Sequence, residues 1–196
     1  NSATVKILEA ATPSNYTMFH VEQWTFDELI LQNTTLTLTP SQSNVLSTKT
    51  VHKTNSSITM HVSSTTDATL LNLSTVDAIT TASNMVLTLD VDHTSIPITK
   101  GNGSTVILHV DGAVNVSTNT LSSVDSITVS SSGTLRLKPS QLSIPVNNFG
   151  TVILVVLASG DHTSISTNLF NTIEIGSNVQ LTMTVAQLNG KSIAKS

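Results

Sequence analysis

The element that decides the fold is the stretch Val124-Asp125-Ser126-Ile127-Thr128-Val129-Ser130-Ser131-Ser132-Gly133-Thr134-Leu135-Arg136-Leu137. Apolar and polar residues alternate in two runs, with a Ser/Gly pause between them. Alternation with a period of two is typical of half-buried strands, because successive side chains point to opposite faces. The pause predicts a hairpin turn in which Gly133 takes a positive φ.

The same pattern recurs in the chain, so the sequence predicts an internal repeat of about 46 to 50 residues. An earlier copy keeps both the identities and the spacing of Val124, Asp125, Ile127, Leu135 and Leu137, as Val76, Asp77, Ile79, Leu87 and Leu89. A further copy begins at Phe170-Asn171, and a first copy begins at Phe26-Asp27. A later strand repeats as Ile58–Val62, Val106–Val110 and Val152–Val156. We therefore expect four copies of one β unit.

The composition favours strands and disfavours helices. The chain has 196 residues, of which 32 are Thr and 28 are Ser, and its apolar residues are mostly Val, Ile and Leu. Thr, Val and Ile favour strands, whereas the usual helix formers are scarce. Only 10% of the residues are charged and 3% are aromatic. A surface of hydroxyls and amides keeps its solubility as carboxylates protonate, which suits an acidic exterior, although a neutral one fits the composition equally well.

Several classes of partner are excluded or disfavoured by charge and hydropathy. The net charge is −4, and the eight Lys and Arg residues are scattered without interleaved aromatics, so we expect no nucleic-acid binding. No apolar run approaches the ~18–20 residues that span a bilayer, so we expect no membrane association in the mature form. The chain begins at Asn1, which suggests either a removed signal peptide or trimming, and we expect an extracellular protein. Cysteine is absent, so disulfides indicate nothing about the compartment.

Six N-x-S/T sequons without proline predict N-linked glycans. Asn55 precedes a predicted strand and Asn102 lies in Gly101-Asn102-Gly103, which are loop positions where a glycan fits. A chain so rich in Ser and Thr also produces such matches by chance. The predicted glycosylation sites are Asn15, Asn33, Asn55, Asn72, Asn102 and Asn115.

A short strand candidate, Ala3–Glu9, precedes the repeats and is separated from them by Pro13-Ser14-Asn15. Such a strand can close its own sheet or pair with a neighbouring molecule. In the second case the donor residues are Val5, Lys6, Ile7 and Leu8. Lys6 is then the candidate amine for an isopeptide crosslink, whose partner the sequence does not identify. Trp24, the only tryptophan, is expected to anchor the core or a junction.

Two architectures are compatible with four repeated β units. The hairpin-like turns and the separate first strand favour a β-sandwich, in which Val, Ile and Leu fill the space between two sheets. The constant register of the copies favours the alternative, a β-solenoid of four repeats of about 48 residues. We expect an N-terminal tail over residues 1–20 and one β domain over 21–196. Its predicted repeats cover 24–70, 71–118, 119–165 and 166–196.

The sequence contains no recognisable catalytic motif, and we expect no enzymatic activity, cofactor or metal. His61 and His109 occupy equivalent strand positions and are predicted to face solvent. Asp90-Val91-Asp92 would place two carboxylates on one strand face beside His93, as a possible Ca²⁺ or acid–base pair. Asp77, Asp125 and Asn171 precede strands, where Asx side chains typically cap their own turns.

The leading strand, the break at Pro13-Ser14-Asn15 and the six sequons resemble surface pilins assembled by donor-strand complementation. Among these the chain is most similar to the heavily glycosylated thread filaments of acidophilic archaea. The resemblance implies a pilin-like β-sandwich completed by the tail of an adjacent subunit, a homopolymer with surface glycans, and crosslinks between subunits. The fourfold repeat departs from that family.

From these patterns we expect a structural subunit of an extracellular, glycosylated filament that polymerises with identical subunits. The alternative is a non-enzymatic adhesin or virion-type solenoid that binds a glycan or a surface. A glycan-active solenoid enzyme would need an acid pair, and the sequence offers no convincing one.

Overall fold

The computed structural model describes residues 4–8, 14–15 and 25–195. Trp24 and the side chains of residues 5–8 and 14–15 lie outside that description. The described structure consists mostly of strands with a few short helices, in agreement with the predicted all-β class. Turns of 3₁₀ helix cover Val91–Ser95 and Pro139–Gln141. The chain divides into two compact units, residues 1–89 with 95–105 and residues 90–94 with 106–196.

The described part of the first unit consists of short strands and the helix α1 (Pro40–Leu46). Its strands form a sheet in the order β1-β3-β5, a sheet in the order β10-β8-β6-β4-β2, and a β7-β9 pair. Their bounds are β1 Thr4–Leu8, β2 Ser14–Asn15, β3 Glu28–Gln32, β4 Thr35–Leu38, β5 Thr50–Thr54, β6 Ser57–Val62, β7 Thr66–Asp67, β8 Ala78–Thr81, β9 Val86–Leu89 and β10 Ile98–Thr99.

The second unit consists of further short strands and the helix α2 (Val185–Leu188). Within this unit the sheet orders are β11-β13-β15, β12-β14-β16-β18-β20 and β17-β19. The bounds are β11 Thr105–Val110, β12 Ala113–Asn115, β13 Ser126–Val129, β14 Thr134–Leu137, β15 Val146–Asn148, β16 Thr151–Val156, β17 Gly160–Asp161, β18 Thr172–Ile175, β19 Leu181–Thr182 and β20 Ser192–Lys195.

The described strands of both units pair in parallel, and paired strands are two places apart in the order of the chain. Leu36 of β4 pairs with Ile58 of β6, and Ile127 of β13 pairs with Val146 of β15. A strand that pairs in parallel with a later one requires the intervening chain to travel round and return. Each unit is therefore a stack of coils, and each repeat in the sequence contains two coils.

The predicted hairpin is wrong. β13 and β14 flank the Ser130–Gly133 turn, yet β13 pairs with β11 and β15 while β14 pairs with β12 and β16. The turn is a corner between two sheets, and these parallel ladders are those of the solenoid alternative, because a hairpin-built sandwich has antiparallel neighbours. A period of two reveals which side chains are buried, but it carries no information about the direction of the partner strand.

Gly133 also has a different role from the one predicted, because its φ is not positive. A Cβ at this position would lie 2.6 Å from the carbonyl oxygen of Val110. On the next coil, a Cβ at Gly150 would lie 2.3 Å from the carbonyl oxygen of Gly133. Glycine is required at this corner because consecutive coils approach each other there with no room for a side chain.

The predicted alternation determines the core of each unit. β4, β6, β9 and β14 alternate half-buried and buried residues, and every buried one is apolar. The first unit buries Leu31, Leu38, Leu46 and Met60 completely. The second buries Leu108, Leu135 and Phe170 completely. Each such side chain contributes roughly 1.5–3 kcal/mol through removal from water.

Both faces of β16 are buried, unlike those of the strands just described. Its inward residues are Val152, Leu154 and Val156, and its outward residues Ile153 and Val155 are only 8% and 5% exposed. On the outer side, Arg136 of β14 and Glu174 of β18 flank this strand and form a bidentate ion pair, with N–O distances of 3.1–3.2 Å. The aliphatic stems of such side chains cover apolar surface while the charged ends pair with each other.

A glutamine closes the turn that follows the second strand in three of the four repeats. Oε1 of Gln42, Gln141 and Gln187 accepts the backbone N–H of the residue three positions earlier, at 2.8–2.9 Å. Nε2 of Gln141 donates to the carbonyls of Val116 and Asn119, which belong to the neighbouring coil. The buried amide of Gln141 thus joins two coils and completes three hydrogen bonds to the backbone at once.

Replacing Gln141 by Met should destabilise the protein by about 2–4 kcal/mol, because the apolar side chain leaves the N–H of Lys138 and the carbonyl of Asn119 unpaired. The carbonyl of Val116 keeps only its bond from the N–H of Asn119. Chemical denaturation followed by circular dichroism measures the change. Ser140→Ala, an exposed position in the same turn, is the control and should change stability little. Equal stability of Q141M and the wild type would show that the glutamine is dispensable.

Candidate functional site

The sequons are the candidate site that the structure supports with geometry. The side chains of Asn33, Asn55, Asn72, Asn102 and Asn115 are all exposed. Asn15 lies on β2, and its side chain is outside the described residues. Exposure is the condition that a glycan requires, so the five described residues remain candidate glycosylation sites.

Two of the sequons are stacked on neighbouring coils of the first unit. Asn33 lies between β3 and β4, and Asn55 lies between β5 and β6. Both adopt the left-handed conformation, with φ of 53° and 50°. Asparagine tolerates this region better than most residues, which explains its presence at both corners.

Hydrogen bonds join the two sequons residue by residue. The amide Nδ2 of Asn55 donates to Oδ1 of Asn33 at 3.2 Å. The backbone N–H of Thr34 donates to Oγ of Ser56 at 3.1 Å, and the N–H of Ser57 donates to the Thr34 carbonyl at 3.0 Å. The hydroxyl oxygens of Thr35 and Ser57 are 3.0 Å apart. We call Asn33–Thr35 and Asn55–Ser57 the stacked sequons.

The other described sequons are not stacked in this way. Oδ1 of Asn115 accepts both the N–H and the hydroxyl of Ser117, at 3.0 and 2.7 Å, and Ser117 is buried. Oδ1 of Asn72 accepts the N–H of Ser74 at 3.0 Å. Asn102 contributes its backbone carbonyl to the N–H of Asn84 at 2.9 Å. These bonds form within one sequon or through the backbone, and they leave each Asn side chain at the surface.

The structure gives two of the Asx residues before strands a role that differs from the predicted cap of their own turns. The carboxylates of Asp77 and Asp125 accept backbone N–H groups of the preceding coil, those of Ile58 and Val106, each at 2.7 Å. In the same pairs the Asp N–H donates back to the Ile58 or Val106 carbonyl at 2.9 Å. The Asp side chain therefore satisfies a strand N–H that the parallel ladder leaves unpaired.

Asp125→Ala should lower the free energy of unfolding by about 1–3 kcal/mol, because the N–H of Val106 loses its acceptor in a partly buried place. Thermal and denaturant unfolding measure this change. Asp125→Asn retains an acceptor oxygen and should lose less. If the Ala and Asn variants were equally stable, the hydrogen bond would not be the relevant contact.

The predicted acidic pair at Asp90 and Asp92 is also wrong, because Val91–Ser95 is a turn of 3₁₀ helix and not a strand. Oδ1 of Asp90 accepts the backbone N–H groups of Asp92 and His93, at 3.0 and 3.3 Å, as helix-capping residues do. The buried ring of His93 places Nδ1 3.1 Å from the same oxygen. Asp90 is therefore a capping residue.

The predicted placement of the strand histidines is confirmed. His61 and His109 are half-buried between fully buried neighbours, on the outward face of their strands. Nδ1 of His61 lies 2.9 Å from the hydroxyl of Thr80 on the next coil. Among the described residues no group of three or more His, Cys, Asp or Glu side chains could hold a metal ion.

The residues predicted for a donor strand form β1, whose backbone pairs in parallel with β3 of the same chain. Val5 pairs with Leu29 and Ile7 with Leu31. Their side chains and that of Lys6 lie outside the described residues, so a crosslink at Lys6 remains a prediction. Lys53 is a described lysine that contacts a carboxylate closely, at 2.6 Å from Asp77. That pair is partly exposed and is an ordinary ion pair.

A small cluster of hydroxyls surrounds a carboxylate on the surface of the second unit. The hydroxyls of Ser132 and Ser130 donate to Oδ1 of Asp111 at 2.6 and 2.8 Å. These hydrogen bonds lower the pKa of the Asp111 carboxyl below its ordinary value. Because the pKa is lowered in the folded protein, the contribution of these bonds is present above the ordinary pKa and is lost as the pH falls through the lowered one.

Ser132→Ala should therefore raise the pKa of Asp111 toward its ordinary value, since the largest of the lowering contributions is removed. An NMR titration of the carboxyl carbon measures this pKa. Ser131→Ala, at an exposed neighbouring position, should leave it unchanged. A pKa that does not respond to S132A would contradict the assignment of these donors.

Neither a membrane helix nor a known relative provides a lead to function. Among the described residues no helix is both long and apolar enough to cross a membrane. Comparisons with protein-family models, with curated proteins and with solved structures found no match. Any proposal of function therefore rests on the residues of this chain.

Sequence reasoning missed two features of the turns. The stacking of the sequons follows from the 22-residue separation of Asn33 and Asn55, which is one coil, whereas the repeat visible in the sequence is two coils long. The glutamine turns carry a signal in the sequence. Thr39 and Gln42 match the capping-box pattern, as do Thr184 and Gln187.

Proposed function

We propose that this protein is a non-enzymatic structural glycoprotein of an extracellular surface, and that its solenoid units display N-linked sugars toward a glycan or surface partner. The observation that carries the proposal is the exposure of five sequon side chains. Asn33, Asn55, Asn72 and Asn102 lie in the connections between strands, and Asn115 is the last residue of β12. A rigid turn holds an attached sugar at a defined position, whereas a long loop would let the sugar move freely.

The chemistry of the described surface supports a structural and not a catalytic role. The charged side chains with close partners are used in ion pairs or caps, as in Arg136–Glu174, Lys53–Asp77 and Asp90. Asp77 and Asp125 are occupied by backbone N–H groups. A glycosidase needs two carboxylates that face one substrate. The carboxylates named here instead bind cationic side chains or backbone N–H groups.

Glycopeptide mass spectrometry of the native protein tests this proposal. We expect sugar on at least one of Asn33, Asn55, Asn72, Asn102 and Asn115, and no release of sugar from polysaccharides incubated with the protein. If the peptides of these five sequons and of Asn15 were all unmodified, the protein would not be a glycoprotein. Release of sugar would show that it is an enzyme.

A filament assembled through the first strand is the second candidate, and the position of β1 favours it. Among the described strands, β1 lies at the edge of the β1-β3-β5 sheet and has β3 as its one partner. An edge strand near the start of the sequence can be exchanged between copies with its register unchanged, since β3 of another copy offers the same partner. Donor-strand assembly would then reuse the pairing of Val5 with Leu29 in trans.

Deletion of residues 1–12 separates the two candidates. If the solenoid acts as a monomer, the shortened and full-length proteins should have the same oligomeric state in light scattering, and both should be folded by circular dichroism. If β1 is exchanged, the full-length protein should form filaments in electron micrographs and the shortened one should not. Lys6→Pro, which removes one N–H donor from β1, provides a second variant that keeps the chain length.

A further inference from the structure

The stacked sequons differ in how each uses its amide. Asn55 donates Nδ2 to its neighbour, whereas Asn33 accepts that bond with Oδ1. Among the described residues Nδ2 of Asn33 has no protein acceptor. Both asparagines are exposed and share the left-handed backbone conformation, with φ of 53° and 50°. The hydroxyl residues of the two sequons differ, Thr34 and Thr35 in one and Ser56 and Ser57 in the other. Between the two asparagines themselves, the difference is the direction of the amide hydrogen bond.

We propose that the stacked sequons act as a single modification site, in which Asn33 carries the sugar and Asn55 holds the Asn33 amide in place. This inference rests on the proposed glycoprotein function. It names which of two adjacent, exposed asparagines carries the sugar.

The chemistry of N-glycosylation favours Asn33. A bond forms between Nδ2 and the anomeric carbon of a phosphate-activated sugar, the bond from that carbon to the phosphate oxygen breaks, and one amide proton leaves with the phosphate. The reaction consumes an N–H of Nδ2 and leaves Oδ1 unchanged. Modification of Asn33 thus preserves the acceptor of the amide bond, whereas modification of Asn55 alters its donor.

The spacing of the coils prevents Asn33 and Asn55 from carrying sugars at the same time. Adjacent strands lie about 4.8 Å apart, so sugars on both residues would have to begin in nearly the same space. The hydroxyl oxygens of Thr35 and Ser57 are also close to each other, at 3.0 Å, and one of them donates a hydrogen bond to the other. A sugar on Asn33 therefore covers the second amide.

Site-resolved glycopeptide analysis of the folded, full-length protein tests the inference. Occupancy at Asn33 should exceed that at Asn55 by about tenfold, which corresponds to about 1.4 kcal/mol. Asn102, which lies outside the stack, reports whether sugar transfer took place at all. Equal occupancy, a preference for Asn55, or both residues bare while Asn102 is modified would overturn the inference.

Two substitutions at one position separate the amide bond from simple crowding. Asn33→Asp cannot be glycosylated but keeps an acceptor for Nδ2 of Asn55, so Asn55 should remain unmodified. Asn33→Ala removes the acceptor, so occupancy at Asn55 should rise about tenfold relative to the Asp variant. Modification of Asn55 in both variants would overturn the role of the hydrogen bond, and bare peptides at Asn102 and at every other exposed sequon would instead overturn the proposed function.

Discussion

Parallel pairing between one coil and the next is the constraint on which the described structure depends. A short strand has little stability alone, and here each strand obtains its backbone partners from the strand two places away in the chain. Where a strand begins or ends, the backbone N–H and carbonyl groups that the ladder leaves unpaired need other partners. The carboxylates of Asp77 and Asp125 do so at the start of a strand, and the glutamine amides do so in the turns. These polar side chains are therefore bonded to backbone groups.

The alternation of the sequence predicted which residues are buried, because side-chain direction depends only on the local strand geometry. Leu135 and Leu137 are fully buried, and Arg136 between them faces outward. The repeat in the sequence predicted that the chain is built from copies of one β motif. The direction of pairing could not be predicted, because Ile127 presents the same buried side chain to an antiparallel and to a parallel neighbour. The short turn at Ser130–Gly133 favoured a hairpin, and the separate ladders of β13 and β14 show that it is a corner, where Gly133 approaches Val110 closely.

The candidate site was predicted in part. The sequons could be read from the sequence, and the structure shows that five of them are exposed. Their mutual arrangement depends on the coil length, which the longer sequence repeat conceals. The two acidic predictions failed for different reasons. Asp125 accepts a backbone N–H from the preceding coil, a partner 19 residues away that the sequence does not reveal. Asp90 caps the 3₁₀ turn that follows it, where the alternation of β9 had suggested a longer strand.

The glutamine turn has a consequence for how such a chain can change in length. Gln141 bonds to a carbonyl pair on the coil before it, and Gln187 bonds similarly to the carbonyls of His162, Thr163 and Ile165. Each amide is thus matched to carbonyls of one particular upstream coil. Gene duplication or loss of a whole two-coil segment brings an equivalent set of carbonyls to each glutamine, whereas a deletion of arbitrary length leaves the amide opposite the wrong backbone atoms. Evolutionary lengthening by complete modules is the change that this architecture accommodates.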